Sequence, residues 1–270
     1  MSHITPAATN TVFGRGAIFF DRFDANGVQL NQWMHFGDCD SLATSISEDT
    51  VDLIDYTQNT GTPYNTATKS TTVGIKISGF EFAPKTLAIV FKGDVSTFTQ
   101  SATTVTGETL APSTLTGLLG SYFRTANRNI SAITVKQGTT TLVSATDWSL
   151  HDSLSGMVRI LPSGSTVVDG TALTINYTAA ALTAGSNALE TVRPFNTSTV
   201  QGSLLFVPKN SSGPLVEARY WSVKLSPDGD VSLISDDWLK WNLTGTVLSD
   251  STAAYGGSTN EPYGRILWQS

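Results

Sequence analysis

The 270 residues of this chain are enough to bury a sizeable core, and their number suggests one large domain or two small ones. Only 14% of the residues are charged and 40% are hydrophobic, which excludes a disordered chain, a coiled coil and a helical repeat. The net charge of −6 argues against a protein that binds nucleic acid phosphates broadly, because such binding needs a basic surface. Abundant Ser, Thr, Gly and Asn favour strands and turns and predict an all-β protein.

The N-terminal residues carry no targeting signal that we recognise. Residues 1–6 have neither a basic head nor an apolar stretch, so we expect no secretory signal and synthesis in the cytoplasm. The densest apolar run, residues 87–91, is much shorter than a transmembrane helix, and we expect no membrane contact. With Cys39 as the single cysteine, stability must come from core burial, from assembly or from both.

The first predicted elements are strands. Residues 14–20 form an opening strand, the turn at residues 24–27 predicts a hairpin, and residues 41–48 form a further strand. His35 and Cys39 lie before this further strand and are a candidate nucleophile pair or metal site. The expected partner groups are absent, which favours a strand end with a small buried thiol.

A long polar segment follows. Residues 55–72 contain almost no aliphatic side chain and lie between two predicted strands, which predicts a long loop. A loop of this length in a compact domain is usually functional, or disordered until a partner binds it. The next strand is clear, because Val73, Ile75 and Ile77 alternate with polar or small residues.

Residues 84–92 are the best predicted helix. Pro84 suits the first helical position, and Leu87, Ala88 and Phe91 fall at helical spacing and are expected to pack against the core. Gly93 is expected to provide the left-handed C-terminal cap. Residues 235–241 are a weaker candidate, either a second short helix or a turn that leads into a strand.

Residues 129–180 predict a small inserted β-sandwich-like domain. Four or five short strands fall within this segment, the last of them marked by the alternation of Leu173, Ile175 and Tyr177. The predicted main domain is discontinuous and comprises residues 1–128 and 186–270, and residues 181–185 form a linker.

The residue types that carry catalysis do not cluster in the sequence. The three histidines are far apart, a phosphate-binding glycine motif is missing, and the aspartates of residues 228–237 lack the spacing of a calcium loop. We therefore expect no enzyme activity, no cofactor and no metal, although a carboxylate pair for glycoside hydrolysis stays open. The six tryptophans mostly lie within apolar alternation, which predicts core positions.

The order of these features resembles the major tail tube proteins of long-tailed, siphovirus-like bacteriophages. The resemblance covers roughly residues 10–128 and 186–270, and the segments that carry it follow in chain order. They are the glycine-marked strand 14–20, the hairpin to residues 36–38, the strand 41–48, the long polar loop, the strand 72–78, the segment 82–93 (FAPKTLAIVFKG), and the closing segments 202–206, 217–221 and 236–238.

The resemblance implies a specific architecture and set of partners. It implies two packed antiparallel sheets with a flanking helix, six copies in a ring, and rings stacked into a tube whose joined sheets form a β-barrel channel. The implied partners are further copies of the chain, the tape-measure protein, and tail-terminator or distal tail proteins, with DNA only in transit and without specific binding. The implied location is the virion tail, assembled in the host cytoplasm. The inserted segment departs from the minimal pattern of the family and looks like a decoration domain.

Two sets of residues follow from this hypothesis. The polar segment is the expected ring-stacking loop, and its contact residues are Asp55, Tyr56, Tyr64, Asn65 and Lys69. The acids expected to face the lumen are Glu48, Asp49 and Asp52. An acidic lumen would let DNA slide, because it offers no cations to bind the phosphates.

Two other functions compete with this hypothesis. One is a carbohydrate- or receptor-binding β-sandwich module of a phage tail or surface protein, with residues 129–180 as the binder. An exposed aromatic cluster around Trp148 and Tyr177 would favour it, whereas a buried pair would favour a structural insertion. The other is an all-β hydrolase, which needs convergent carboxylates in a cleft.

Overall fold

A computed structural model describes residues 11–12, 14–57, 61–183 and 188–269. The described residues contain one helix, α1 (Pro84–Val90), and seventeen strands. In chain order the strands are β1 (Gly16–Arg22), β2 (Met34–His35), β3 (Cys39–Asp55), β4 (Thr62–Gly79), β5 (Asp94–Phe98), β6 (Thr103–Ala111), β7 (Tyr122–Arg124), β8 (Ile130–Gln137), β9 (Thr140–Thr141), β10 (Trp148–Asp152), β11 (Met157–Ile160), β12 (Leu173–Ala179), β13 (Leu189–Arg193), β14 (Val200–Pro208), β15 (Leu215–Pro227), β16 (Trp241–Leu248) and β17 (Gly264–Gln269). The prediction of a mainly β fold with antiparallel sheets and one short helix is confirmed.

The chain divides into two compact units. Unit 1 comprises Met1–Val95 and Val192–Ser270, and unit 2 comprises Ser96–Thr191. Unit 2 is therefore larger than the predicted insertion of residues 129–180, because β6 pairs with β12 and belongs to the sheet of unit 2. The predicted linker lies partly outside the described residues, and in its described part Leu182 is buried and bridges to Gln100.

Unit 1 contains one eight-stranded antiparallel sheet. The strand order is β2-β1-β14-β15-β16-β4-β3, and β17 pairs with β15 beside β16. The predicted alternation is confirmed, because Val73, Ile75 and Ile77 of β4 all point into the core. Trp221, Val223 and Leu225 of β15 are likewise buried.

Helix α1 covers the core of unit 1, but it presents a different face from the predicted one. Thr86, Ile89 and Val90 are buried together with Ala88, whereas Leu87 and Phe91 are only half-buried. The spacing from residue 86 to residues 89 and 90 defines a helical face, which the sequence hides because Thr86 is polar. The helix ends at Val90, and the left-handed position is Lys92, with φ 49°, in place of Gly93.

Residues 228–240 connect β15 to β16 without a helix. The predicted second helix at residues 235–241 is wrong, and the alternative of a turn leading into a strand is confirmed. The Ser235 hydroxyl accepts the Asp237 amide at 3.1 Å, as an N-cap does, but Trp241 already pairs with Gly79 in the sheet. Too few residues remain between them for a stable helix.

Unit 2 packs two small antiparallel sheets over a core of its own. One sheet has the order β10-β11-β7 and the other the order β6-β12-β8-β9. Buried side chains from both sheets, among them Val158, Ile160 and Ile175, form one apolar cluster. The alternation that predicted β12 is confirmed, since Leu173, Ile175 and Tyr177 are buried.

The prediction that the tryptophans mostly occupy core positions is only half right. Trp148, Trp221 and Trp241 are buried, whereas Trp33, Trp238 and Trp268 are exposed. The three exposed tryptophans all belong to unit 1, where Trp268 lies on β17 and the other two lie in connections between strands.

Candidate functional site

The most unusual feature of unit 1 is the long hairpin of β3 and β4. We call residues 47–72 the arm; they extend beyond the pair formed by Ile46 and Val73. Residues 62–72 belong to β4, so the predicted loop at residues 55–72 is wrong for most of its length. The arm has no buried face, and a strand without one lacks the alternation by which the sequence would reveal it.

The arm is exposed along both strands. Every described arm residue is exposed except Ile54 and Asp55, which are half-buried. No described strand pairs with the outer edge of β3, and β4 pairs with β16 only from Val73 to Gly79. Along residues 62–72 the arm therefore presents unpaired backbone groups at two edges.

The arm unites both sets of residues predicted from the sequence. The acids Glu48, Asp49 and Asp52 lie on β3, whereas Tyr64, Asn65 and Lys69 lie on β4. The Lys69 ammonium lies 3.7 Å from the Asp49 carboxylate, and the Thr66 hydroxyl donates to Asp52 at 2.7 Å. Asp55 and Tyr56 begin the turn at the tip, where the Asp55 carboxylate accepts the Thr57 amide at 2.8 Å.

Apolar side chains are also exposed on the arm. Val51 and Leu53 are two residues apart on β3 and share one face, with exposed fractions of 56% and 52%. Tyr56 and Tyr64 are exposed near the tip. These large apolar side chains make the arm a candidate interaction surface.

A second open edge is formed by β17. This strand pairs with β15 on one side, and on its other side it pairs with none of the strands in the described residues. Its consecutive residues Ile266, Leu267 and Trp268 are all exposed, although neighbouring residues of a strand point to opposite faces. No predicted element covered this edge, and the run Ile-Leu-Trp without alternation is the signal that could have revealed it.

The connection at residues 228–240 adds a third exposed apolar group. Leu233, Ile234 and Trp238 are exposed there, Ile234 by 94%. At the start of the same connection, the Asp228 carboxylate lies 3.5 Å from the Lys76 ammonium.

Among the described residues of the chain, no group of three or more His, Cys, Asp or Glu side chains could hold a metal ion.

The Cys39 thiol is not poised for nucleophilic chemistry. Burial, together with the charges of Asp38, Asp40 and Glu81, raises its pKa to about 12. The His35 imidazole is occupied elsewhere, because its Nδ1 accepts the Gly37 amide at 2.9 Å and its ring contacts Phe19.

A pocket of about 310 Å³ lies beside β1, β2 and α1 and includes Phe20, Trp33 and Ala88 in its walls. The half-buried Arg22 of this pocket donates to the Gly93 carbonyl at 3.0 Å and to the Thr197 hydroxyl at 3.2 Å. Burial lowers the pKa of this guanidinium. Because its donors bind protein groups, Arg22 joins β1 to the chain that follows α1.

The aromatic pair proposed as a glycan platform in unit 2 is buried. Trp148 is 6% exposed and donates to the Leu142 carbonyl at 3.3 Å. Tyr177 is 1% exposed, and its hydroxyl donates to Glu108 at 2.5 Å. Both rings therefore stabilise the core of unit 2 and are not available to a ligand.

Within the described part of the chain, no helix has the length and apolar character needed to cross a bilayer. A family model with the description "Protein of unknown function UCP028589" matches residues 11–266 of the sequence. No curated protein matches the chain.

Proposed function

We propose that this chain, which belongs to the family described as a protein of unknown function, UCP028589, is a structural subunit of a phage tail tube. In this proposal six copies form a ring, and stacked rings form a tube that houses the tape-measure protein and conducts DNA without binding it specifically. The observation that carries the proposal is the arm, an exposed hairpin with unpaired edges and exposed apolar side chains.

An arm of this kind calls for a partner. A two-stranded hairpin is only marginally stable alone in water, and unpaired strand edges invite pairing with other chains. Natural proteins block such edges with prolines, charges or covering segments. The arm carries such groups, among them Pro63 and Lys69, but Val51, Leu53 and Tyr64 are also exposed beside its edges, which favours a surface that is covered on assembly.

A second copy of the chain is the simplest partner. The arm and β17 are different open edges of the same unit, so pairing one with the other joins two copies head to tail. A head-to-tail contact closes into a ring when the rotation between copies allows it, and closure leaves neither of the two paired edges free in any copy. This supports the ring that the resemblance to tail tube proteins implies.

The composition agrees with a subunit whose surface is largely interface. Charged residues are depleted where proteins bury surface against partners, and only 14% of this chain is charged. The proposed further partners, which are the tape-measure protein and the tail-terminator or distal tail proteins, rest on the resemblance alone. So does the location in the virion tail.

The proposal is tested by the state of the purified full-length protein. We expect negative-stain electron microscopy to show six-fold rings or hollow tubes, and light scattering after size exclusion to show hexamers or larger species. A protein that remains monomeric at concentrations near 100 µM, at low and at physiological salt, would contradict the proposal. Closed rings with another number of copies would contradict the hexamer but not the assembly.

A further inference from the structure

The three-stranded sheet of unit 2 has an outer face that the tube proposal does not use. On the inner face, Phe123, Val158 and Ile160 contribute to the core. The register places Tyr122 of β7 and Ser149 of β10 on either side of Arg159 of β11. These three residues form a row across the outer face, and Tyr122 is 47% exposed.

Arg159 is the central residue of this row, and it has no polar partner among the described residues. Its guanidinium lies over the Tyr122 ring, 5.1 Å from the ring centroid. Its Nε atom is buried and forms no hydrogen bond. A buried donor without an acceptor is unfavourable, and a guanidinium without a counter-charge is prepared to accept an anion.

Two further basic side chains, His151 and Arg124, lie on the same face. His151 packs edge-on against Tyr122 with 5.0 Å between the ring centroids. Arg124 follows Tyr122 on the same face, two residues along β7, and donates through Nε to the Ser155 carbonyl at 3.2 Å. That bond leaves the terminal nitrogens of Arg124 for a ligand.

One acid of unit 2, Asp152, interacts electrostatically with His151, but Arg159 and Arg124 have no acidic partner among the described residues. Among the described residues of unit 2, no acid forms an ion pair with an Arg, Lys or His. The Asp152 carboxylate accepts the amides of Leu154 and Ser155. The carboxylates of three further acids also accept hydrogen bonds from backbone amides, namely Glu108, Asp147 and Asp169.

We propose that this outer face, with Arg159, Arg124, His151 and Tyr122, binds an acidic polysaccharide. A sugar carboxylate suits the planar donor pair of a guanidinium, and a sugar ring packs against an exposed tyrosine. Nucleic acid is disfavoured, because its dense phosphates need a broad basic surface and the chain carries a net charge of −6. The inference is independent of tube assembly.

The test uses full-length protein and polygalacturonate as the probe, with neutral dextran as the control polymer. Affinity electrophoresis should show retardation by polygalacturonate and none by dextran. Arg159→Gln should weaken the apparent affinity at least tenfold, and Tyr122→Ala should weaken it severalfold. Lys136→Gln, a cation of the other sheet of unit 2, is the matched control and should change nothing.

Because Arg159 is half-buried, its substitution can disturb the fold as well as the binding. Arg124→Gln replaces an exposed arginine of the same face and is the second variant. Near-UV circular dichroism checks the fold of both variants. Equal retardation by the two polymers, or none by either, would overturn the proposal. The proposal would also be overturned if both arginine variants bound polygalacturonate as tightly as Lys136→Gln does. Binding of a 30-bp DNA duplex at least as tight as that of polygalacturonate would overturn the assignment of the ligand class.

Discussion

Shortening the arm should abolish assembly without unfolding unit 1. The change replaces residues 49–70 by Asn-Gly, so that a two-residue turn joins Glu48 to Thr71, which are already paired in the hairpin. Asn-Gly supports the type I′ turn that two-residue hairpins prefer. The strands below this point keep their partners, because β4 pairs with β16 from Val73 onward.

The structure sets the size of the expected effect on stability. Nearly all of the removed side chains are exposed, and none belongs to the core of unit 1. Exposed residues outside special features change the free energy of unfolding by about 0.5 kcal/mol or less each, and the arm's few cross-strand contacts are of similar size. Because such small changes have either sign, they largely cancel over the removed residues, and we expect a net change of about 1 kcal/mol and a Tm within roughly 4 °C of the wild type.

The matched control lies on the same hairpin but in the core. Ile75 is 1% exposed, and Ile75→Ala should cost about 2–5 kcal/mol while leaving the arm intact. Urea unfolding followed by tryptophan fluorescence measures stability, and light scattering with microscopy measures assembly. Rings or tubes of the shortened protein would contradict the role of the arm in assembly. A loss of stability as large as that of Ile75→Ala would contradict its independence from the core.

Three further predictions concern single residues. Leu267→Lys places a charge on the open edge of β17 and should reduce assembly without lowering Tm by more than a few degrees; unchanged assembly would remove β17 from the proposed interface. The pKa of Cys39 is raised to about 12, so this thiol should react slowly with iodoacetamide at pH 8. Mass spectrometry should show a rate more than roughly tenfold below that of the exposed thiol in a Cys39→Ser, Ser251→Cys variant. Equal rates would contradict the raised pKa. The amides of Thr166 and Val143 lower the pKa of Asp147, so its carboxylate stabilises the fold at neutral pH and loses that effect as the pH falls below about 4. Asp147→Asn should therefore have a lower free energy of unfolding than the wild type at pH 7, and the two values should converge in acid. Urea titrations that give the same difference at every pH would refute this.

The sequence predicted best those strands that bury one face. Val73, Ile75 and Ile77 alternate with polar or small residues, because one side of β4 packs against the core while the other does not. The same rule located β12 in unit 2. A local period of two is sufficient evidence wherever burial is one-sided.

The arm and β17 were not predicted from the sequence, for opposite reasons. The arm buries neither face, so its residues show no period, and their polarity indicated a loop. On β17 the residues Ile266, Leu267 and Trp268 are all apolar, although the strand lies at an open edge. Both departures mark surfaces that the isolated chain leaves uncovered, and for that reason the candidate site was the part least accessible to pattern analysis.

The start of unit 2 was predicted wrongly because it depends on pairing between strands that are distant in the sequence. β6 joins β12 through pairs such as Val105 with Tyr177, and nothing in the local sequence near residue 105 specifies a partner so distant. The face of α1 was missed for a chemical reason, since a buried Thr86 does not count as apolar in a helical pattern.

The charge of the arm gives the lumen hypothesis a quantitative form. The arm carries Glu48, Asp49, Asp52 and Asp55 against Lys69, a net charge of −3, which is half of the charge of the chain. In a ring, six such arms would lie close together and repel one another. The Debye length falls from about 30 Å at 0.01 M salt to about 8 Å at 0.15 M, so salt screens most of this repulsion. We expect assembly to be stronger at the higher ionic strength.

The critical concentration for assembly, measured by sedimentation at the two salt concentrations, tests this expectation. The combined variant Glu48→Gln, Asp52→Asn leaves the Asp49–Lys69 ion pair in place and should make assembly in low salt nearly as strong as in high salt. The matched control, Asp230→Asn with Asp236→Asn, removes the same charge from the connection before β16 and should retain the salt dependence of the wild type. If salt weakens assembly, or if both variants respond to it alike, the arms do not lie together, and the acids of β3 do not line a shared channel.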